Sequence, residues 1–437
     1  MNIKIRRLIY LFFILVFLII APILVMYTSG YRYNLQKGKI EQVGVLSINI
    51  LPKDAQIFLN DDLMGKERPL RLPSLRPNYY QIKVTKDNYY PWQKTLEVKS
   101  QASTLAFDIV LFKNSAPVIL ADTNIKTFTL SPKADAVAIA NNEGVLIKNL
   151  NNETKKLIWA TNGNGIEKIT WSKDAKNLLI KKDSQFFVLN TNGASSAISL
   201  NNLVSNLQKA EWGNNTTIYG LADSNLMEIT FDNKQTKKIT SATEDFSFLD
   251  GNLYFTKKQD NKILTYKYNS LNIFNKLTAI AELPLATYQI EEMKNEWLSL
   301  SDGQKIYLID LSGVKQPILT LNGVSAFWGA GTKNDYLYYF DKAELWIFDP
   351  AIKKSYMLSR YENDIQNILP LPNIPYYALQ QGQNILLSEI DDRDQRQKYT
   401  VFQGRNVKDL QIDAEGKKLY FLDRLKNGYE LFQLEIQ

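Results

Sequence analysis

The chain has 437 residues, of which 45% are hydrophobic and 22% charged, so it is long enough for two or three domains and apolar enough to bury a core. It contains neither histidine nor cysteine, which excludes disulfides, lipid attachment through an anchor cysteine, Ser-His-Asp and Cys-His nucleophiles, and histidine-bound zinc or haem. The net charge is +7, but three of these charges, Lys4, Arg6 and Arg7, precede the first apolar run. The remainder is too dispersed to predict nucleic-acid binding.

Residues 8–27 form an apolar run without a single charged side chain. At about 1.5 Å of rise per residue, a helix over this run crosses a hydrocarbon core of about 30 Å, and Pro22 near its far end is tolerable there. A cleaved signal peptide is the alternative. Its apolar core is usually shorter, however, and residues 26–31 offer no small-residue cleavage site. The sequence therefore predicts a transmembrane helix that remains as an anchor.

The orientation of this helix follows from the flanking cations. The N-terminal cluster is tighter and nearer to the apolar run than Arg32, Lys37 and Lys39 on the other side. Because cytoplasmic flanks carry the excess of positive charge, residues 1–7 are predicted to be a short cytoplasmic tail. Everything beyond the helix is then extracytoplasmic, and it begins with a polar stalk over residues 28–43.

Short alternating segments follow the stalk, with turn residues such as Pro52 between them. They predict strands, because alternation of apolar and polar side chains is typical of half-buried strands. Five or six such strands within about 70 residues predict a small β-sandwich over residues 44–112. The predicted strands are residues 44–50, 55–60, 79–85, 95–98 and 104–112.

The same segment resembles the PEGA domain family. The matching positions are Pro52-Lys53-Asp54-Ala55 at the name motif, Gly65, Pro69-Leu70-Arg71-Leu72 in the proline-containing strand, Leu75-Arg76-Pro77-Asn78-Tyr79, Ile82, Val84 and Asn88-Tyr89. Asp54, Asn78 and Asn88 stand where the family prefers glycine, and we expect these turns to survive because Asp and Asn tolerate a left-handed backbone. The resemblance implies an extracytoplasmic interaction module without catalytic residues.

The rest of the chain contains a weak internal repeat. Its anchor is an apolar residue that ends a strand and precedes a polar turn, and successive anchors lie 41, 41, 37, 44, 35, 41 and 43 residues apart. This spacing is typical of four-stranded propeller blades of about 40–45 residues. The anchors are Leu130, Trp171, Trp212, Leu249, Met293, Trp328, Leu369 and Ile412.

Each anchor is followed by two further strands, for example residues 177–180 with 185–189, 336–340 with 344–349, and 418–422 with 430–436. Eight anchors predict eight blades over residues 116–437, or seven if the unit around Leu369 is a loop. The last unit ends after three strands, and residues 116–120 can supply the fourth and close the ring.

The turn after these anchors resembles that of WD-like and TolB-like propellers. It is a Ser-Pro-Lys or Ser-Lys-Asp turn ahead of a short apolar strand. The Trp-Asp and Gly-His pairs of true WD repeats are missing, so the resemblance implies the architecture and no binding residues.

Two groups of residues invite a functional interpretation. Glu389, Asp391, Asp392 and Asp394 could bind a hard cation, but Arg393 and Arg396 interleave, and we predict a solvated turn instead. Trp171, Trp212 and Trp328 occupy equivalent repeat positions. They could form an aromatic platform for sugars, but equivalent propeller positions usually face the next blade, so we predict packing between blades.

The sequence shows no nucleophile elbow, phosphate-binding loop or EF-hand, and we assign no catalytic, cofactor-binding or metal-ligating residue. The predicted fold is all-β behind one transmembrane helix. The predicted function is non-enzymatic binding or scaffolding at the outer side of the cytoplasmic membrane, with an envelope protein or polysaccharide as partner and without nucleic acid. The alternative is a carboxylate-dependent glycan hydrolase or lyase with its site in the propeller funnel. The oligomeric state stays open.

Overall fold

The computed structural model describes residues 3–35, 38–121, 124–193, 196–269, 277–313, 318–331, 334–362, 364–426 and 428–437. Lys37, used above for orientation, and the first two residues of the predicted tail lie outside the described residues. The chain divides into two compact units. One unit comprises Met1–Asn114 with Asp391–Gln397, and the other comprises Ser115–Ile390 with Lys398–Gln437.

The first unit begins with helix α1 (Ile3–Thr28). It contains the whole predicted apolar run, and the stretch Ile5–Thr28 is long and apolar enough to cross a membrane. Its large apolar side chains are exposed along the helix rather than packed in a protein core. Such a surface is unfavourable in water and matches hydrocarbon.

A two-stranded hairpin follows the helix at once, within the segment predicted to be a polar stalk. Strand β1 (Tyr31–Asn34) pairs antiparallel with β2 (Lys39–Gln42). The Val43 N–H donates to the Gly30 carbonyl across the base of this hairpin, with N and O 2.9 Å apart.

The remainder of the first unit is the predicted β-sandwich. Its two sheets have the strand orders β6-β3-β9 and β5-β4-β7-β8. Alternate side chains of both sheets, such as Leu46, Ile48, Ile57 and Val84, meet in one buried core. The strands are β3 (Gly44–Leu51), β4 (Gln56–Leu59), β5 (Asp62–Leu63), β6 (Leu70–Leu75), β7 (Asn78–Thr85), β8 (Trp92–Val98) and β9 (Ser103–Val110).

Asp54, Asn78 and Asn88, which stand where the PEGA family prefers glycine, differ in backbone conformation. Asn88 has a φ of 63°, in the left-handed region. Asp54, which still lies in a turn, and Asn78 keep an ordinary negative φ, so neither position needs a left-handed backbone. Their side chains act otherwise: Asp54 pairs with Lys86 at 2.7 Å, and the Asn78 Oδ1 accepts a hydrogen bond from the Tyr79 N–H.

The second unit is a β-propeller of eight four-stranded antiparallel sheets, which confirms eight blades. The first four blades are β11 (Thr127–Leu130) to β14 (Lys155–Ala160), β15 to β18, β19 to β22 and β23 to β26. The intervening strands are β12 (Ala136–Asn141), β13 (Gly144–Asn149), β15 (Ile166–Trp171), β16 (Asn177–Lys182), β17 (Gln185–Asn190), β18 (Ile198–Ser199), β19 (Leu207–Trp212), β20 (Thr217–Ala222), β21 (Asn225–Thr230), β22 (Gln235–Thr240), β23 (Thr243–Leu249), β24 (Asn252–Gln259), β25 (Lys262–Tyr268) and β26 (Leu277–Pro284), and a 3₁₀ turn covers Leu200–Asn202.

Blades five to seven repeat this order, and blade eight is composite. Blade five is β27 (Gln289–Lys294), β28 (Trp297–Ser301), β29 (Lys305–Asp310) and β30 (Ile318–Asn322). Blade six is β31 (Ser325–Ala330), β32 (Asp335–Asp341), β33 (Glu344–Asp349) and β34 (Lys354–Arg360), and blade seven is β35 (Ile365–Pro370), β36 (Tyr376–Gln381), β37 (Asn384–Glu389) and β38 (Lys398–Gln403). Blade eight joins β39 (Lys408–Ile412), β40 (Lys418–Leu425) and β41 (Gly428–Glu435) to the early strand β10 (Val118–Ala121).

Strand β10 closes the ring as predicted. It pairs antiparallel with β41, so the outermost strand of blade eight comes from the start of the propeller sequence. Strand β39 also contacts β11 of blade one, which joins the last blade to the first. Closure removes the exposed edge that an open array would leave.

All eight repeat anchors lie in first strands of blades, and the unit around Leu369 is strand β35 rather than a loop. First strands of neighbouring blades contact one another, so they form the inner ring of the propeller. The turn after the anchor is also shared. In blades one and two a serine hydroxyl, Ser131 or Ser172, binds an aspartate carboxylate, and Ala134 and Ala175 take φ values of 53° and 59°.

Candidate functional site

Several polar side chains of the inner ring make hydrogen bonds between blades. The Trp171 indole Nε1 donates to the Thr129 carbonyl oxygen of the preceding blade at 3.1 Å. The Trp212 Nε1 makes the equivalent bond to the Thr170 carbonyl at 3.2 Å. Packing between blades is thus confirmed for these two tryptophans.

Trp328, at the same repeat position in blade six, differs in the hydrogen bonding of its indole N–H. Its indole nitrogen is buried and has no hydrogen-bond partner among the described residues. Its backbone N–H instead donates to the Glu292 carboxylate of blade five at 2.8 Å.

Carboxylates join the inner strands in the same way. The Glu211 Oε2 of blade three accepts from the Ser247 hydroxyl (3.0 Å) and the Phe248 N–H (3.3 Å) of blade four. The Asp245 Oδ2 of blade four accepts from the Ile290 N–H of blade five at 3.0 Å. Each carboxylate therefore binds the strand that follows it around the ring.

Lys209 lies between two of these carboxylates. Its Nζ is 3.1 Å from the Glu211 Oε1 and 2.8 Å from the Asp245 Oδ1, and it donates to the Phe246 carbonyl at 2.6 Å. Burial alone would lower the pKa of Lys209, but the charges of Glu211 and Asp245 outweigh burial and raise the pKa above its usual value. The three side chains form an inter-blade network in which two carboxylates share one ammonium group.

Glu291 is the exception on the inner ring. A bulge between Ile290 and Glu292 opposes two residues of β27 to one of β28, and Glu291 is the extra residue. Burial, followed by the neighbouring charge of Glu292, raises the pKa of Glu291 to about 7, although the Ala326 N–H and the Ser325 hydroxyl oppose this. Its Oε2 is buried without a hydrogen-bond partner among the described residues.

The acidic run 389–394 does not converge on a cation. Asp391 pairs with the fully buried Nζ of Lys94 at 3.6 Å and with Arg393 at 2.8 Å, and Asp394 accepts from the Thr95 N–H at 2.7 Å. Burial would raise the pKa of Asp391, but the Arg393 hydrogen bond and the Lys94 charge hold it below its usual range. The expectation of a solvated turn was wrong for Asp391, because the segment Asp391–Gln397 belongs to the first unit.

A basic cleft of about 350 Å³ lies where blade eight meets blade one. Lys126, Lys408 and Arg424 line it, and the Lys408 Nζ is 4.0 Å from the centre of the Tyr429 ring. Lys126 and Arg424 have no carboxylate partner within the described part of the chain. Among the described residues no three Asp or Glu side chains gather as a metal site. The chemistry available here is recognition of an anionic group.

Comparisons with known proteins support this architecture. No curated protein matches the chain. The C-terminal WD40 domain of Sif2 is similar in structure, with a TM-score of 0.53 and 12% identity over 75% of this chain and 98% of that domain. The Dos1 propeller is also similar, with a TM-score of 0.53 and 9% identity over 74% of this chain and 95% of that one.

At these identities the likeness shows the fold alone, which is a β-propeller. Residues 43–115 match the family model described as PEGA domain, as the sequence resemblance indicated. The chain therefore carries a PEGA domain followed by a β-propeller, behind a helix long and apolar enough to cross a membrane.

Proposed function

We propose that the protein is a non-enzymatic scaffold, anchored in the cytoplasmic membrane by α1 with its N-terminus inside, whose extracytoplasmic propeller binds an envelope protein or polysaccharide. One observation carries the proposal. Carboxylates of the inner ring, where a funnel enzyme would need them free, accept hydrogen bonds from the next blade. Hydrogen bonds between blades make the ring a rigid support for its loops, and binding residues are found disproportionately on such loops.

The basic cleft favours one end of the ring. In an antiparallel blade the turns between the second and third strands lie at the end where the first strand begins. Lys126 and Lys408 are at the start of first strands, and Gly428 is at a turn between second and third strands. We therefore assign binding to this end, where three cations suit an acidic group on the partner.

Photo-crosslinking from single cysteines tests this assignment, because the chain has no native cysteine. Ser184→Cys and Ser224→Cys place the probe on turns at the binding end, and Lys133→Cys and Lys173→Cys place it at the opposite end. In cells, the first pair is expected to give one reproducible envelope adduct that Arg424→Glu weakens at least threefold. Equal adducts from both ends, or none, would contradict the proposal.

The hydrolase or lyase alternative has its own readout. The purified full chain is incubated with isolated envelope polysaccharide, and new reducing ends or unsaturated sugars are measured. We expect none above a buffer control. Turnover that Glu291→Gln abolishes would replace the scaffold proposal with an enzyme, because Glu291 is the one inner-ring carboxylate described above whose buried oxygen lacks a partner.

A further inference from the structure

The proposed function assigns no role to the hairpin β1-β2. It was expected to be a polar stalk, yet its register gives it two distinct faces. Tyr33 pairs directly with Ile40, and Tyr31 pairs with Gln42. Directly paired side chains lie on the same face of a ribbon, and alternate residues share that face. Tyr31, Tyr33 and Ile40 therefore form one apolar face, and Arg32, Lys39 and Glu41 lie on the other.

The apolar face is open. Tyr33 and Ile40 are 56% and 55% exposed, and Leu35, just beyond β1, is 80% exposed. A two-stranded ribbon has no second layer to cover such a face, and an isolated hairpin is marginal in water. The exposed apolar surface thus indicates contact with something outside the first unit.

The short link between α1 and β1 limits how far the hairpin can lie from the membrane. Ile5–Thr28 is 24 residues long, about 36 Å at the usual helical rise, which exceeds a hydrocarbon core of about 30 Å. The last turn of α1 therefore reaches the headgroup layer. Only two residues separate Thr28 from Tyr31, a reach of roughly 10 Å at most.

Three contacts hold the hairpin against the end of the helix. The Arg32 guanidinium stacks on the Tyr27 ring, with 3.7 Å from its carbon to the ring centre, and donates to the Tyr27 carbonyl oxygen at 2.7 Å. The Gln42 Nε2 donates to the Ser29 carbonyl at 3.2 Å. A cation at a helix C-terminus also interacts favourably with the helix dipole. The hairpin is consequently not free to swing away from the end of α1.

We propose that the face made by Tyr31, Tyr33 and Ile40, with Leu35, lies in the headgroup layer of the same membrane that α1 crosses. This inference rests on the proposed anchor and adds a second, interfacial contact to it. Tyrosine rings favour this layer because they are apolar with one polar end, and aliphatic side chains gain by leaving water.

The test is a depth measurement on the full chain. Single-cysteine variants Tyr33→Cys and Ile40→Cys carry an environment-sensitive fluorophore and are reconstituted in phosphatidylcholine–phosphatidylglycerol vesicles with doxyl-labelled lipids. Ile19→Cys in the middle of α1 is the buried reference, and Lys173→Cys on a propeller turn is the aqueous reference. We expect blue-shifted emission at Tyr33 and Ile40, and quenching by shallow doxyl lipids at least threefold stronger than at Lys173.

Two results would overturn the inference and leave the anchor intact. In one, Tyr33 and Ile40 behave like Lys173 while Ile19 is quenched, so the hairpin face is in water. In the other, they are blue-shifted but not quenched, so protein covers the face. If Ile19 is also unquenched, the anchor fails and the hairpin contact fails with it.

Discussion

At the scale of single residues, tryptophan occupies the same repeat position in three blades, but its indole N–H finds a hydrogen-bond partner in only two of them among the described residues. Trp171 and Trp212 each bond to the preceding blade, whereas the buried indole nitrogen of Trp328 has no partner in the described structure. A buried hydrogen bond stabilises a protein by about 1 kcal/mol, and an unpaired buried donor costs a similar amount. The two environments should therefore respond differently to loss of the N–H group.

Trp212→Phe keeps an aromatic ring and removes the bond to Thr170. We expect the free energy of unfolding to fall by about 1–2 kcal/mol, from the lost bond and the smaller ring. The measurement is urea unfolding of the detergent-solubilised chain, followed by circular dichroism. Trp328→Phe is the matched control and should be less destabilising, because it also removes an unpaired donor. Equal losses would show that the inter-blade bond contributes nothing measurable.

The tryptophan contacts could be predicted from their repeat positions, but the carboxylate contacts could not. Trp171 and Trp212 occur at an anchor that recurs at regular spacing, which is visible in the sequence. Glu211 and Asp245 meet their partners only because first strands of adjacent blades lie side by side in a particular register. Which polar residues meet in space depends on that register, and the sequence pattern does not contain it.

At the scale of elements, the first strands differ from simple alternating strands by their bulges. Register shifts occur near the start of β15, β19, β23, β27, β35 and β39. A bulge inserts one unpaired residue and re-aims its neighbours. Strand positions were predictable from alternation, but one extra residue in a strand of five to seven residues leaves no distinct periodic signal. The half-buried position of Glu291 could therefore not be foreseen.

Because Glu291 is held partly buried at this bulge, we expect the free energy of unfolding to depend on pH. The pKa of Glu291 is raised to about 7 in the folded state from about 4.5 when unfolded, so the folded protein holds the proton more tightly. Stability should be unaffected by this group below pH 4.5 and should fall as pH rises to about 7. Glu291→Gln removes the charge and should raise the free energy of unfolding at pH 8 by about 1–3 kcal/mol relative to wild type, with little gain at pH 4.5.

The measurement for Glu291→Gln is chemical unfolding of the full chain at the two pH values. Glu244→Gln is the control, because Glu244 is the extra residue of the equivalent bulge in β23 but its side chain is exposed. Its effect should be small at both pH values. A gain at pH 8 that also appears at pH 4.5 would contradict the account of Glu291.

At the scale of the whole molecule, the architecture was predictable because it rests on repetition and length. A twenty-residue apolar run, a degenerate PEGA pattern and eight anchors about 40 residues apart can each be read from the sequence directly. The hairpin of residues 31–42 was not predicted, because its four-residue strands are too short for alternation to stand out among polar residues. The place of the segment Asp391–Gln397 in the first unit was not predicted either, because its contacts join residues 288 and 304 positions apart.

In the proposed function, α1 anchors the chain with its PEGA domain and propeller outside the cytoplasmic membrane. The most direct test is protease digestion of the C-terminally tagged full chain in intact cells whose outer barrier has been permeabilised. We predict that the C-terminal tag is lost while a cytoplasmic control protein survives. Protection of the tag until the cytoplasmic membrane is lysed would contradict the account and place the propeller inside the cell.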